Sequence, residues 1–313
     1  MKEKDIRGQD KLEKPVDIIW SYSRREDLEI CPRKYYYDYY GANRKTAKDE
    51  ENKEALIQAK TWKSRHLRTG EILHLVIRTY LNNRRNGNSW TTNGLIDWAK
   101  KIFRDDRLYS SGRLSQAEIL KRKYQPTPLL EYCFQLKDAE ALCSEAEERL
   151  VQAIKNFVTR PELTLFHSGA KHSRAAIEKT LIFKNESFRG RGQIDLVYPN
   201  NDKMVIADWK IGTSGGAEES LQLAFYGLWA VNEYKCNLDK VELFRVDLSE
   251  VKVTKYSFTA ISLNRAKARI LQDLEGMHLL HRYGVNANAK AFTPCAQPKI
   301  CALCPYQKIC PKE

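Results

Sequence analysis

The spacing of apolar and polar positions along this chain changes once, near Ala175. Before that point it is helical. The stretch TGEILHLVIRTYLNN, from Thr69 to Asn83, places apolar side chains at 72, 73, 76, 77 and 80. These fall on one face of a helix. Ser21 to Tyr40 reads as helix with a break or fresh start at Cys31-Pro32, because proline lacks a backbone donor and suits a first helical turn. Residues 94–160 read as several helices interrupted at Ser110-Ser111-Gly112 and Pro126-Thr127-Pro128. The clearest of them runs from Asp138 to Phe157. Beyond Ala175 the period falls to two. AIEKTLIF, SFRGRGQIDLVY and KMVIADWKI read as strands, with PNND at 199–202 as the turn between the last two. AEESLQLAFYGLWAVNEY is an amphipathic helix, and KVELFRVDL with VKVTKYSF forms a hairpin around Ser249-Glu250. A last helix spans about 264–282.

The expected fold class is therefore α/β (α+β), with helices in front and a compact core over residues 175–260. Residues 1–20 are expected to be flexible and 21–313 to form a single domain. Within it, 85–165 is a helical insertion and 292–313 a cysteine-rich tail. No internal repeat is visible.

Charge narrows the functional classes. Fifty-three Lys and Arg against forty Asp and Glu leave the chain at +13, spread along its length. Such a surface favours polyanions, nucleic acid first. No apolar run approaches the ~20 residues that cross a bilayer, and the first twenty residues hold no apolar leader. The cytoplasm is the expected compartment, without membrane attachment. Four of the eight cysteines crowd into the last nineteen residues. In a cytoplasmic chain this suggests a metal or cluster site rather than disulfides.

The strand KMVIADWK carries Asp208 and Lys210 two positions apart, hence on one face, with Trp209 turned the other way into packing. If the strands pair through the turn at 199–202, Asp195 comes near Asp208. Two carboxylates and a lysine on one sheet face suit a hard divalent cation with a water beside it. Asp-x-Lys is common as a surface ion pair, but this strand is too apolar to be a solvated face. Gln222 and Tyr226 share one face of the following helix, and His74 lies one turn after Gly70. His66, His167, His172, His278 and His281 read as structural or exposed. Tyr35, Tyr36, Tyr37, Tyr39 and Tyr40 would stack on unpaired bases or pack a helix, and packing is favoured. Arg189 and Arg191 are candidates for phosphate contacts.

Taken in order, Gly70-x-x-x-His74, Gly192-x-x-Asp195, Asp208-x-Lys210 and Gln222-x-x-x-Tyr226 resemble the RecB-like branch of the PD-(D/E)XK nuclease superfamily. The tail Cys301-x-x-Cys304-x(5)-Cys310, with Cys31 inside Cys-Pro-Arg-Lys-Tyr, resembles the iron–sulfur members of that branch. CRISPR-associated RecB-like exonucleases and the nuclease module of the AddB helicase–nuclease subunit are the nearest in pattern. The resemblance implies a restriction-endonuclease-like core with a central mixed sheet flanked by helices. It implies that His74, Asp195, Asp208 and the Trp209 carbonyl ligate Mg²⁺ or Mn²⁺. Lys210 would activate the attacking water, Gln222 and Tyr226 would position Lys210 or the DNA backbone, and Glu178 would add an outer contact. Cys31, Cys301, Cys304 and Cys310 would hold one [4Fe–4S] cluster, zinc being the structural alternative. Cys133, Cys143, Cys236 and Cys295 fall outside that pattern and read as ordinary thiols. The implied partners are DNA, single-stranded ends first, and proteins of a helicase–nuclease or CRISPR adaptation complex. A catalytically silent iron–sulfur scaffold and a zinc-containing RNA-binding protein are the competing readings. The first leaves the retained His74, Asp195, Asp208 and Lys210 without a purpose, and the second leaves Asp-x-Lys and Gln-x-x-x-Tyr unexplained.

Overall fold

The computed structural model describes residues 18–43, 52–212, 217–285 and 289–310. Helices α1 (Tyr22–Ile30) and α2 (Pro32–Tyr36) meet at Cys31, and a π-helical turn (Tyr37–Gly41) follows. Then come α3 (Lys53–Lys60), α4 (Arg65–Arg85), α5 (Thr92–Ser110), α6 (Gln116–Leu120), α7 (Leu130–Cys133), α8 (Ala139–Thr159) and α9 (Thr164–Gly169). Serine or threonine caps most of the exposed starts, and Ser115 with Glu118 forms a reciprocal capping box. The strands are β1 (Ala176–Lys184), β2 (Arg189–Asn200), β3 (Lys203–Lys210), β4 (Val241–Asp247) and β5 (Lys252–Tyr256). Helix α10 (Ala217–Tyr234) links β3 to β4, α11 (Ala260–Val285) follows β5, and α12 (Pro298–Cys301) opens the tail.

The strands form one mixed sheet in chain order. Only β3 and β4 run parallel, because the α10 crossover returns the chain to the same end of the sheet. Both faces are covered. Ile194, Val197, Ile206 and Leu243 face α10, α11 and the tyrosine-rich α2. Leu196, Tyr198, Ala207, Trp209 and Val246 face α4, α8 and α9. The helices read from sequence as an elaboration thus supply an entire layer over β2, β3 and β4.

Of the stretch expected to be flexible, Ile18 and Trp20 are buried, and residues 1–17 lie outside the described residues. Trp20 accepts from Arg191 N and donates to Arg189 O, occupying an edge of β2 that β3 does not reach. Its indole donates to Asp273 Oδ2 at 3.1 Å. Gly190 lets the Phe225 ring of α10 lie against this part of β2, since a Cβ there would lie 2.6 Å from it. Tyr35, Tyr36, Tyr37 and Tyr40 are buried, three of them against Phe292 and Tyr37 against Tyr306. They are packing groups, as favoured above, and offer no base-stacking faces.

Candidate active site

The site forms where β2 parts from β3. Their register runs from Asn200↔Lys203 to Leu196↔Ala207. At the next residue the Asp195 carboxylate, not a backbone carbonyl, takes the Trp209 N–H, at 2.6 Å. Side-chain alternation slips here: Ile194 and Val197, three apart, both face the α10 layer. Glu178 lies between the pairs Ile177↔Leu196 and Lys179↔Ile194, opposite Asp195, with φ at 53°. Two adjacent strand irregularities therefore aim two carboxylates out of the sheet.

They meet His74, which α4 carries half-buried above them. Its Nδ1 lies 3.1 Å from both Glu178 Oε1 and Asp195 Oδ1. The ligand atoms of these three residues lie within 4.8 Å of one another. Burial works against a charge on His74, yet Asp195 and then Glu178 outweigh it and hold its pKa well above the usual histidine range. Burial raises the Asp195 pKa, with the Asp208 charge adding to the rise and His74 opposing it.

Asp208 and Lys210 project together from β3 with Lys210 Nζ 2.9 Å from Asp208 Oδ2. Burial disfavours the ammonium, but Asp208 and Asp195 more than compensate and raise its pKa. Trp209 turns to the opposite layer, its ring edge-on to Phe157 and Phe166. Gln222 donates to Tyr226 Oη at 2.9 Å, and Tyr226 donates to the Gln193 carbonyl at 2.5 Å. Gln193 in turn donates to Glu178 Oε2 at 2.7 Å. Gln222 and Tyr226 were expected to position Lys210 or the DNA backbone; among the described residues their hydrogen bonds run to each other and to β2 beside Asp195. Glu178, expected only as an outer contact, stands in the innermost group. An open cleft of about 570 Å³ lies over His74, Glu178, Asp195, Asp208, Lys210 and Gln222.

Cys304 and Cys310 pack against the core cluster that also holds Leu223, Phe225 and Trp229 of α10. Cys31 is buried at the α1–α2 junction, its Sγ accepting from Lys34 N at 3.4 Å. Burial pushes the Cys304 thiol up to about 11, and Cys31 and Cys310 add to the rise. Burial likewise raises Cys310, which feels both Cys31 and Cys301. Cys304 thus lies near Cys31 and Cys310, and Cys310 near Cys31 and Cys301, despite their sequence separation. Arg191 is exposed and Arg189 partly buried.

A mixed sheet that splits to present acidic groups beside a lysine suits a hard divalent cation with a water next to it. The chain belongs to the PD-(D/E)XK nuclease superfamily, whose profile matches residues 19–311. Nucleases of this superfamily use divalent metal ions, and their substrate is DNA. No curated protein matches the chain. Among solved structures, a Eubacterium rectale protein named "Putative exonuclease" is similar, at 14% identity over 94% of each chain and a TM-score of 0.40. SSO0001 is similar at 13% identity over 58% of this chain and 77% of its own, with a TM-score of 0.29. No helix among the described residues is long and apolar enough to cross a membrane.

Proposed function

We propose that this chain is a RecB-like deoxyribonuclease that trims single-stranded DNA ends in repair, recombination or CRISPR- and phage-related processing. The observation that carries the reading is the meeting of His74, Glu178 and Asp195 ligand atoms within 4.8 Å, beside the Asp208–Lys210 pair and beneath an open cleft. His74, Glu178, Asp195, Asp208 and the Trp209 carbonyl would hold Mg²⁺ or Mn²⁺. The donor set fits, being oxygen-rich, largely desolvated and anionic. When bound, the cation polarises the scissile phosphate. Lys210 orients the attacking water and offsets the negative charge that grows on the phosphate oxygens. Asp208 keeps the ammonium charged and aimed into the cleft. Tyr226 and Gln222 hold the β2 backbone so that Asp195 and Glu178 keep their directions.

Cys31, Cys301, Cys304 and Cys310 would hold a [4Fe–4S] cluster. Arg33 beside Cys310 and Lys34 beside Cys304 offset thiolate charge.

Replacing Lys210 by alanine tests the active site. Cleavage of end-labelled single strands in Mg²⁺ should fall by about 10²–10³-fold, the loss typical of one transition-state charge stabiliser. DNA affinity should hold, because Lys210 is one of fifty-three cations contributing to the phosphate term. A wild-type cleavage rate from the variant overturns the assignment.

A further inference from the structure

A second surface adjoins α4 at Arg68, next to the cleft. Trp90 stands just ahead of α5, Trp98 projects from α5, and Tyr124 follows α6. Their rings form a row, with centroids 5.5 Å apart between Trp90 and Trp98 and 6.2 Å apart between Trp98 and Tyr124. Trp90 and Tyr124 are each 39% exposed, so part of each side chain faces water while each ring also meets Trp98. Only Trp98 leans on the core beneath. Leaving so much aromatic surface wet forgoes burial that the nearby helical layer would otherwise gain.

Cations surround the row. A groove of about 390 Å³ beside it is lined by Lys101, Lys121, Arg122 and Lys123 together with Trp98 and Tyr124. Its acids are already committed: Asp105 pairs with Arg122, and Asp106 with Arg68. Lys101 and Lys123 have no carboxylate partner among the described residues. The Lys123 ammonium lies 5.7 Å from the Tyr124 ring centroid. Exposed rings interleaved with uncompensated cations match a strand that presents both unpaired bases and phosphates. A protein partner would need acidic groups for the lysines but has no requirement for a row of ring faces.

The groove also borders the cleft. Arg68 lines the groove, Glu71 lines the cleft, and the two pair at 3.2 Å across the α4 ridge. From Arg68 to His74 is six residues of helix, or about 9 Å at 1.5 Å per residue.

We infer that Trp90, Trp98 and Tyr124 with Lys101, Lys121 and Lys123 form a stacking platform for single-stranded DNA, placed to deliver one strand over α4 to the His74 site. This deepens the nuclease reading and rests on it for the direction of the strand, though not for the binding itself. Bases stack on the rings regardless of sequence, and the lysines track the backbone. A duplex keeps its base faces stacked and cannot use the row.

The test separates binding from cleavage. Anisotropy with fluorescent oligothymidylates of about 4 to 16 nucleotides, the range of single-strand footprints, is read in EDTA for wild type and for Trp90→Ala/Tyr124→Ala. Both rings are exposed, so matching thermal melts should show that the double variant folds. Its affinity for the longer strands should fall at least tenfold, while affinity for a blunt duplex stays within twofold. Wild-type tryptophan emission should quench on adding the single strand. In Mg²⁺ the variant should show a raised KM for long strands with kcat preserved. Unchanged single-strand affinity and no quenching overturn the platform and leave the nuclease intact. Binding that behaves as expected without any Mg²⁺-dependent cleavage overturns the nuclease reading and leaves the platform. Equal losses for duplex and single strand overturn the base-stacking role. An oligouridylate arm tells DNA from RNA, and stronger binding of the RNA overturns the assignment to DNA.

Discussion

Acid should destabilise this protein through His167, a residue remote in role from catalysis. Its ring is 7% exposed, set edge-on against Tyr80 and Phe157 with centroids 5.5 and 5.0 Å away. Its Nε2 is buried without a hydrogen-bond partner. Burial lowers the pKa to about 4, and the Arg84 charge pushes the same way. In the unfolded chain the imidazole titrates near ~6.5. As pH falls, the unfolded state takes the proton first. The stabilisation is therefore fully present above ~6.5, is lost progressively below it, and levels off below about 4. The gap corresponds to about 3 kcal/mol in total, of which about 2 kcal/mol is lost by pH ~5. The assay compares urea unfolding of wild type and His167→Phe at pH ~8 and ~5. Carboxylates elsewhere titrate in both proteins, and the packing change from the substitution is the same at both pH values, so both cancel in the double difference. Wild type should lose about 2 kcal/mol more than the variant on acidification. Equal losses, or an NMR titration of His167 centred near ~6.5, refute the argument.

Four further outcomes follow from other parts of the molecule. Cys31→Ser should bleach a brown, anaerobically purified protein and remove about four irons per chain, while Cys295→Ser keeps the colour; one zinc and no iron by metal analysis defeats the cluster. Gly169→Ala puts a Cβ 2.2 Å from the buried Tyr198 ring and should cost about 1–3 kcal/mol or more, read as a lowered Tm; an unchanged Tm means the helix end shifts freely. Tyr226→Phe leaves the Gln193 carbonyl without its donor and should cost about 1–3 kcal/mol, with Mn²⁺ affinity by calorimetry weakening because β2 loses its brace; unaltered metal affinity rejects the bracing role. Glu178→Gln should weaken Mn²⁺ binding as Asp195→Asn does, whereas a wild-type isotherm would move Glu178 out of the ligand set.

Much of the core was legible because two rhythms carried it. The period-two run KMVIADWK put Asp208 with Lys210 and turned Trp209 inward, and the structure has that arrangement. The α10 boundaries and the β4–β5 hairpin also follow the apolar pattern. The place of Glu178 beside His74 and Asp195 was not legible for a physical reason. Its strand reads as regular alternation, and nothing in AIEKTLIF announces a left-handed residue at Glu178. The slip at Asp195 is equally silent, since strand pattern alone does not show where a partner strand peels away. The hydrogen bond from Tyr226 to the Gln193 carbonyl was not legible, because helical spacing specifies a shared face but not the neighbour it meets. Likewise the amphipathic α4 and α8 announce an apolar stripe, and only tertiary structure shows that the stripe lies on the sheet.

The contact of α2 and its tyrosines with Phe292 has a consequence for how the chain is made. Tyr36 and Phe292 are 256 positions apart (292 minus 36). At about 5–20 residues per second on the ribosome, the tyrosine-rich segment waits roughly 13–50 s for its cover. Until then the rings that face Phe292 and Tyr306 remain uncovered on that side, a surface suited to holdase chaperones. A transcript broken before the tail leaves a protein whose sheet residues are all translated but whose ring cluster stays open. The layer over α2 therefore closes only when synthesis reaches the tail, and an interrupted chain remains visible to proteolysis.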